Sequence, residues 1–167
     1  AISQLGLKHA VITSVNRDEL ADGGARIFAA TIRHIRQRCP ETSIEVLVPD
    51  FQGDWQALKT VMEAGPDILN HNIETVPRLY PIMRPQATHE RSLDLLRRAA
   101  QLSPASTKSG MMLGAGEQRQ EVELTLRQLA DVGCAILTLG QYLSPSSEHV
   151  PIDRFLHPDE FRELGDF

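Results

Sequence analysis

The sequence predicts an α/β fold built on a parallel sheet, and three observations carry that expectation. Short apolar runs of strand type alternate with amphipathic helical stretches along the 167 residues, which is the signature of repeated βα units. Each apolar run is followed by polar residues, so binding groups gather at the C-terminal strand ends. They follow every strand rather than one, which favours a barrel mouth over the single switch point of an open doubly wound sheet. Five strands are too few to close an eight-stranded barrel. A partial barrel, or a barrel with strands missing from this chain, is therefore expected.

The elements follow in order. Ala1 to Leu7 reads as the last turn of a helix closed by Gly6. His9 to Ser14 is the first strand. Phe28, Ile32 and Ile35 fall at i, i+4 and i+7 and give one apolar face to a helix from about Gly24 to Arg38. Asp22 can cap that helix, with Gly23 and Gly24 forming the turn. Ser43 to Val48 is the second strand, stopped by Pro49. Trp55, Leu58 and Met62 mark a helix ended by Gly65-Pro66. Ile68 and Leu69 head the third strand. Leu93, Leu96 and Ala100 mark a long helix, with Thr88 as its cap. Thr107 to Leu113 is the fourth strand, and Val122, Leu126 and Leu129 mark a fourth long helix stopped by Gly133. Ala135 to Leu139 is the fifth strand, and Pro158 to Gly165 a short final helix. A chain that opens by finishing a helix and closes on one with nothing after it reads as a single domain, residues 1–167, excerpted from a longer protein.

Composition narrows the class. The chain is 41% apolar and 23% charged, ordinary for a globular domain. A formal charge of −5 argues against a general nucleic-acid binder. No apolar run approaches the ~20 residues that span a bilayer, and no secretory signal is present. Cys39 and Cys134 lie far apart, and neither they nor the six histidines show metal-ligand spacing. Two unpaired thiols suit a reducing compartment.

The densest chemistry follows the third strand. Asn70, His71, Asn72, Glu74 and Thr75 place five strong hydrogen-bonding groups within six residues, a costly set to bury unless something polar lies above them. His71 reads as a hydrogen-bonded core residue or as a ligand contact. Lys108, inside the fourth strand, is an edge lysine reaching solvent or an interior one needing a charged partner, with Glu74 and Asp50 as candidates. Gly114-Ala115-Gly116-Glu117 opens a helix after a strand and could bring backbone N–H groups to an anion. It lacks the third glycine of a dinucleotide fingerprint. Asn16-Arg17-Asp18-Glu19 could bind a zwitterion or form an internally paired loop. Arg78 and Arg84, in a proline-punctuated loop, could steer an acidic partner. No G-x-S-x-G elbow and no P-loop occurs.

Read together, these stretches resemble the lipoyl synthases, radical S-adenosylmethionine enzymes. The resemblance rests on Val11 to Leu20 with Asp22-Gly23-Gly24, Val48-Pro49-Asp50-Phe51, Asn70 to Tyr80, Thr107-Lys108-Ser109-Gly110 with Gly114 to Glu117, and Gly140-Gln141-Tyr142-Leu143. Asn16 and Ala115 stand where the family usually has aspartate and often has leucine. The resemblance implies a partial TIM-like (β/α)6 radical SAM barrel, of which about five parallel strands and their helices are present. It implies insertion of two sulfur atoms at C6 and C8 of an octanoyl chain on a carrier-protein lysine. One 4Fe–4S cluster would cleave S-adenosylmethionine to a radical that abstracts hydrogen, and a second would donate sulfur. The protein would hold the cofactor against the C–H bond and exclude competing reactions.

The same resemblance implies partners: an octanoylated lipoyl carrier protein or domain, and an electron donor such as ferredoxin or flavodoxin. It implies a cytoplasmic enzyme in a bacterium, or a mitochondrial or plastid one in a eukaryote. The family's cluster cysteines and its serine ligand fall outside residues 1–167, so the excerpt alone is expected to be inert. Thr13, Ser14 and Asn16 are expected near the methionyl end of the cofactor. Asn72 and Glu74 would contact ribose or carboxylate, with Lys108 as a nearby counter-charge. Gly114, Gly116, Gln141 and Leu143 would border the adenine. Other readings remain: a different radical enzyme, a metal-free barrel enzyme such as an aldolase with Lys108 as a Schiff-base nucleophile, and a non-catalytic carrier-binding scaffold derived from an enzyme that lost its clusters.

Overall fold

A computed structural model describes all residues, 1–167. Five strands form one parallel sheet: β1 (His9–Thr13), β2 (Ser43–Leu47), β3 (Ile68–Asn70), β4 (Ser106–Leu113) and β5 (Ile136–Gln141). Their spatial order is β1-β2-β3-β4-β5. A doubly wound sheet reverses direction at a switch point. Here each strand lies beside its predecessor, so every right-handed crossover winds the same way and its helices fall on one face. The order is that of a barrel segment, as the polar strand ends predict.

The helices cover the convex face. They are α1 (Ile2–Leu5), α2 (Ala25–Arg38), α3 (Trp55–Met62), α4 (Tyr80–Met83), α5 (His89–Leu102), α6 (Arg119–Asp131) and α7 (Pro158–Gly165). One core cluster packs Phe28, Ile32 and Ile35 of α2 and Leu58 and Val61 of α3 on Ile44, Val46 and Leu69 of the sheet. A second packs Val122, Leu126 and Leu129 of α6 on Met111 and Leu113. Helix α5 joins the two, giving Leu95 and Ala99 to the first and Leu93 and Leu96 to the second. Burial of these side chains is the main driving force, roughly 1.5–3 kcal/mol for each large one.

Local signals place the helix ends. Asp22 accepts from the amides of Gly24 and Arg26, and these bonds hold its carboxyl below its usual range. Thr88 Oγ1 accepts from Arg91 N at 3.2 Å, the expected cap of α5. Gln118 and Glu121 form a capping box on α6. Sequence reading missed α4 and the 3-10 turn Pro77–Leu79 before it, treating both as loop. Pro77 and Pro81 sit in the first turns of these elements, where a missing N–H costs nothing.

His71 pins three elements together. It is 2% exposed. Its Nδ1 lies 2.9 Å from Val48 O, and its Nε2 lies 3.0 Å from Ser92 Oγ. A carbonyl can only accept, so Nδ1 carries the proton and Nε2 accepts from the serine. The ring is thus a neutral core group on the helix side of the sheet, and burial lowers its pKa to about 4. Above pH ~6.5 the ring is neutral both folded and unfolded. As pH falls from ~6.5 towards 4, the unfolded chain takes up the proton first and stability drops by up to about 3 kcal/mol. Denaturation of the protein and its His71→Gln variant across this window should show a shallower loss in the variant, by up to one proton.

Candidate functional site

The concave face of the sheet is the side without helices. Side chains alternate along a strand, so Glu45, Asn70, Lys108, Gly110, Met112, Thr138 and Gly140 share it. Its floor is charged. Lys108 Nζ donates to Glu45 Oε1 at 3.0 Å and Oε2 at 3.2 Å, and Asn70 Nδ2 donates to Oε1 at 2.9 Å. His9 Nε2 stands 3.5 Å from Oε2. Glu45 is 3% exposed. Burial pushes its carboxyl up, but the bonds from Lys108 and Asn70 outweigh this and hold it below the usual range. Lys108 is therefore an interior lysine, and its partner is Glu45 rather than Glu74 or Asp50. Strand order decides this: β3 places only Asn70 between Lys108 and β2. Asp50 is already held by Arg91 at 2.6 Å. Lys108 is thus engaged by Glu45 rather than left without a charged partner.

Above the floor, β3 bulges against β4. His71 N donates to Lys108 O, but Gly110 O receives Glu74 N rather than Ile73 N. One extra residue has entered the β3 side. The amide it leaves over, Ile73 N, donates to Ser109 Oγ at 3.0 Å. Glu74 closes the bulge at φ 66°, a left-handed conformation rare for a non-glycine residue and found where function over-determines the backbone. Met112 N then donates to Glu74 O, resuming the ladder. Asn72 projects over Gly110: a Cβ there would lie 2.7 Å from Asn72 Oδ1 and 3.2 Å from Thr138 Oγ1. Neither the Asn72 amide nor the Glu74 carboxylate is drawn into the hydrogen bonds or ion pairs around them. Asn70 Oδ1 and Thr75 Oγ1 are buried without partners. This ledge is the part of the sheet with polar groups to offer.

Beside it, a cavity of about 700 Å³ opens at the ends of β1 to β3, lined by Asn16, Asp50, Gln52, Arg84, Gln86 and Arg91 among others. Arg84 Nη1 donates to Asn72 O at 3.2 Å and joins cavity to ledge. The structure thus brings Asn16, Asn72 and Glu74 to one end of the barrel. Thr13 and Ser14 line a smaller cavity against α2 with Phe28, and Ser14 Oγ donates to Val15 O.

The β4 and β5 ends are differently occupied. Glu117 accepts from Gly114 N at 2.6 Å and Ala115 N at 3.0 Å, so the anion at the glycine turn is the chain's own carboxylate. Gly114 O accepts from Asp153 N, and a Cβ on Gly114 would lie 2.4 Å from Arg154 O. Gln141 donates to Arg154 O and accepts from Leu156 N. Gly114 and Gln141 therefore clasp the segment 153–156. Gly116 O receives Arg78, whose guanidinium also binds both oxygens of Glu121. Leu143 is exposed beyond β5.

Sequence reading passed over Glu45, Ser109 and Thr138. Glu45 carried a usable signal, the same one that marked Lys108: a charge within an apolar parallel strand. Gly110 carried another, a glycine inside a strand, which marks close approach.

A profile described as the radical SAM superfamily matches residues 1–129. This chain belongs to the radical SAM superfamily. It is 58% identical to the lipoyl synthase of Rubrobacter xylanophilus over 99% of this chain and 53% of that protein. It is 54% identical to the lipoyl synthase of Desulfotalea psychrophila over 99% of this chain and 56% of that protein. The chain spans about half the length of these curated relatives. Methylornithine synthase superposes with a TM-score of 0.69 over 90% of this chain and 43% of its own, at 18% identity. The coproporphyrinogen III oxidase of Escherichia coli does so with 0.65 over 98% and 40%, at 12% identity. These two show the fold, a partial TIM-like barrel.

The superfamily implies S-adenosylmethionine and iron–sulfur chemistry. The ledge fits the first: it offers the unpaired Glu74 carboxylate and the unpaired Asn72 amide, which Gly110 lets lie close against the sheet. Residues 1–167 do not fit the second. No three of the chain's His, Cys, Asp and Glu side chains come together to hold a metal. Cys39 ends α2. Cys134 is half-buried, and burial pushes its thiol up.

The floor generates a stability prediction. Lys108→Met leaves Glu45 charged and uncompensated, and should cost about 3 kcal/mol or more. Glu45→Gln with Lys108→Met removes both charges and should recover most of that loss. Chemical denaturation of the three proteins checks the order.

Proposed function

We propose that this chain is the barrel core of a lipoyl synthase, which inserts sulfur at C6 and C8 of an octanoyl chain carried on a protein lysine. Identity of 52–58% to lipoyl synthases across nearly the whole chain supports the substrate class. The observation that carries the site is the β3–β4 bulge, which leaves Asn72 and Glu74 unpaired above a closed floor. Two 4Fe–4S clusters, held by residues outside this chain, complete the enzyme. An octanoylated carrier domain and a one-electron donor such as ferredoxin or flavodoxin serve it. With those clusters in place, S-adenosylmethionine held by Asn72 and Glu74 would supply the radical chemistry needed at an unreactive C–H bond.

The chain's own residues bind and orient. A carboxylate only accepts hydrogen bonds, so Glu74 suits ribose hydroxyls or the ammonium of the methionyl group. The Asn72 amide both donates and accepts, and suits the carboxylate or ribose beside it. Asn16 faces the same end from β1, with Thr13 and Ser14 behind it. Gly116 and Leu143 remain at the far rim, on the adenine side. Holding reactants in one geometry is a large part of what such a site contributes. Arg84 is tied to Asn72 O and Tyr80. Its side chain lines the cavity at the strand ends, where an acidic carrier surface would dock.

Glu74 allows a test that separates binding from folding. Glu74→Gly removes the carboxylate and relieves the left-handed backbone, so it should raise stability by up to about 1 kcal/mol. It should also weaken S-adenosylmethionine binding by about tenfold or more, as loss of a charge-assisted hydrogen bond would. Calorimetric titration of the reconstituted full-length protein checks affinity. Unchanged affinity would remove Glu74 from the site. Absence of 5′-deoxyadenosine in a protein with intact clusters would remove the proposed activity.

A further inference from the structure

The geometry points to Tyr80 as a positioning residue for cofactor binding: its phenol holds the Ile73 carbonyl and so keeps the Glu74 carboxylate in place at the ledge. The inference rests on the ledge proposed above as the S-adenosylmethionine site. It starts from the backbone of the bulge. Thr75 N donates to Ile73 O at 2.8 Å, which closes a three-residue turn with Glu74 at its centre, φ 66°. A turn of this size with a positive φ at its centre is rare and strained. Such a turn can relax by reversing the peptide between Ile73 and Glu74, the rotation that interconverts type I and type II turns and changes the sign of φ. Reversal would carry Ile73 O away from Thr75 N and Glu74 N away from Gly110 O. The turn would open, and the Glu74 carboxylate would lose its fixed place.

Tyr80 stands against that reversal. Its Oη donates to Ile73 O at 2.6 Å, from the helix side of the sheet. The phenol has one proton to give. The other acceptor near it, Ser92 Oγ, lies 3.5 Å away. Burial pushes the phenol's pKa up and keeps it a donor. Arg84 completes the set. Its guanidinium stands 5.5 Å over the Tyr80 ring, and Nη1 donates to Tyr80 Oη at 3.4 Å and to Asn72 O at 3.2 Å. A cation donating to the phenol oxygen leaves the phenol proton for Ile73 and strengthens that bond. Two successive carbonyls, those of Asn72 and Ile73, are thus held immediately before Glu74. Tyr80 opens α4 and Arg84 follows its last residue, so this short helix brings both groups behind the ledge.

The hydroxyl can be removed without disturbing the rest. The Tyr80 ring is 4% exposed and meets His89 edge-on at 5.5 Å, contacts that Tyr80→Phe keeps. Ile73 O retains its bond from Thr75 N, so the variant orphans no buried carbonyl. What it loses is the one side-chain donor that fixes the direction of that carbonyl.

The test is a double-mutant cycle on S-adenosylmethionine affinity, read by calorimetric titration of the full-length protein with its clusters, with a denaturation midpoint for each variant. Y80F should weaken binding about fivefold, within the range of one hydrogen bond. In the E74A background no carboxylate is left to position, and there Y80F should change affinity by less than about twofold. A purely structural hydroxyl gives a different result: a lowered midpoint with affinity unmoved, or the same weakening in both backgrounds. Either result overturns the role of Tyr80 and leaves the ledge standing, because E74A alone still binds weakly. Unaltered affinity in E74A, or no binding by the unaltered protein, removes the ledge and the inference with it.

Discussion

The hydrogen bond from Ile73 N to Ser109 Oγ is small, yet the site depends on it. It lets β3 slip by one residue against β4 without orphaning a buried amide, which would cost about 1–3 kcal/mol. The slip throws Glu74 into a left-handed conformation and carries Asn72 over Gly110. On the convex side the same stretch is fastened by His71 to Val48 and Ser92, and by Tyr80 Oη to Ile73 O at 2.6 Å. A strained ledge is therefore clamped from behind by a fully bonded polar core. That is how a residue in an unfavourable conformation is held in place.

Polar groups across the molecule divide into those that bind one another and those left free. Glu45, Lys108 and Asn70 neutralise the floor. Glu117 fills the glycine turn, and Gln141 holds the segment that crosses it. Asp50 and Arg91 pair at the cavity wall. Asn16, Asn72 and Glu74, at the ends of β1 and β3, keep side chains that none of these pairs engages. The division gives the barrel one end whose polar groups are left free and a floor whose charges bind one another.

Much of the fold was legible because its signals are local. The i, i+4, i+7 face of α2, the Thr88 cap and the Gly133 stop each act within one helix, and they placed the helices to within a residue or two. Polar residues after every strand pointed to a barrel, and the strand order agrees. The short helix α4 escaped notice because its prolines read as breakers when they stand in first turns. At the site, Asn72 and Glu74 could be singled out because five polar groups in six residues cannot all be buried unpaired. The partner of Lys108 could not. Glu45 lies far away in the chain, and only the β2-β3-β4 order brings the two carboxylate oxygens within reach. The partners of Gly114 and Gln141 were out of reach for the same reason: the segment they clasp arrives from later in the chain.

The sequence by itself determined the alternation of strands and helices, the helix boundaries, the parallel sheet and the position of the polar strand ends. These follow from periodicity, capping and turn chemistry, which act over a few residues. Tertiary structure alone decided which strand lies beside which, that β3 carries a bulge, that His71 faces the core while Asn72 faces the lumen, and that Lys108 is neutralised by Glu45. Those outcomes come from hydrogen-bond register and from charges meeting across the sheet. Both depend on residues brought together only when the whole chain closes around its core.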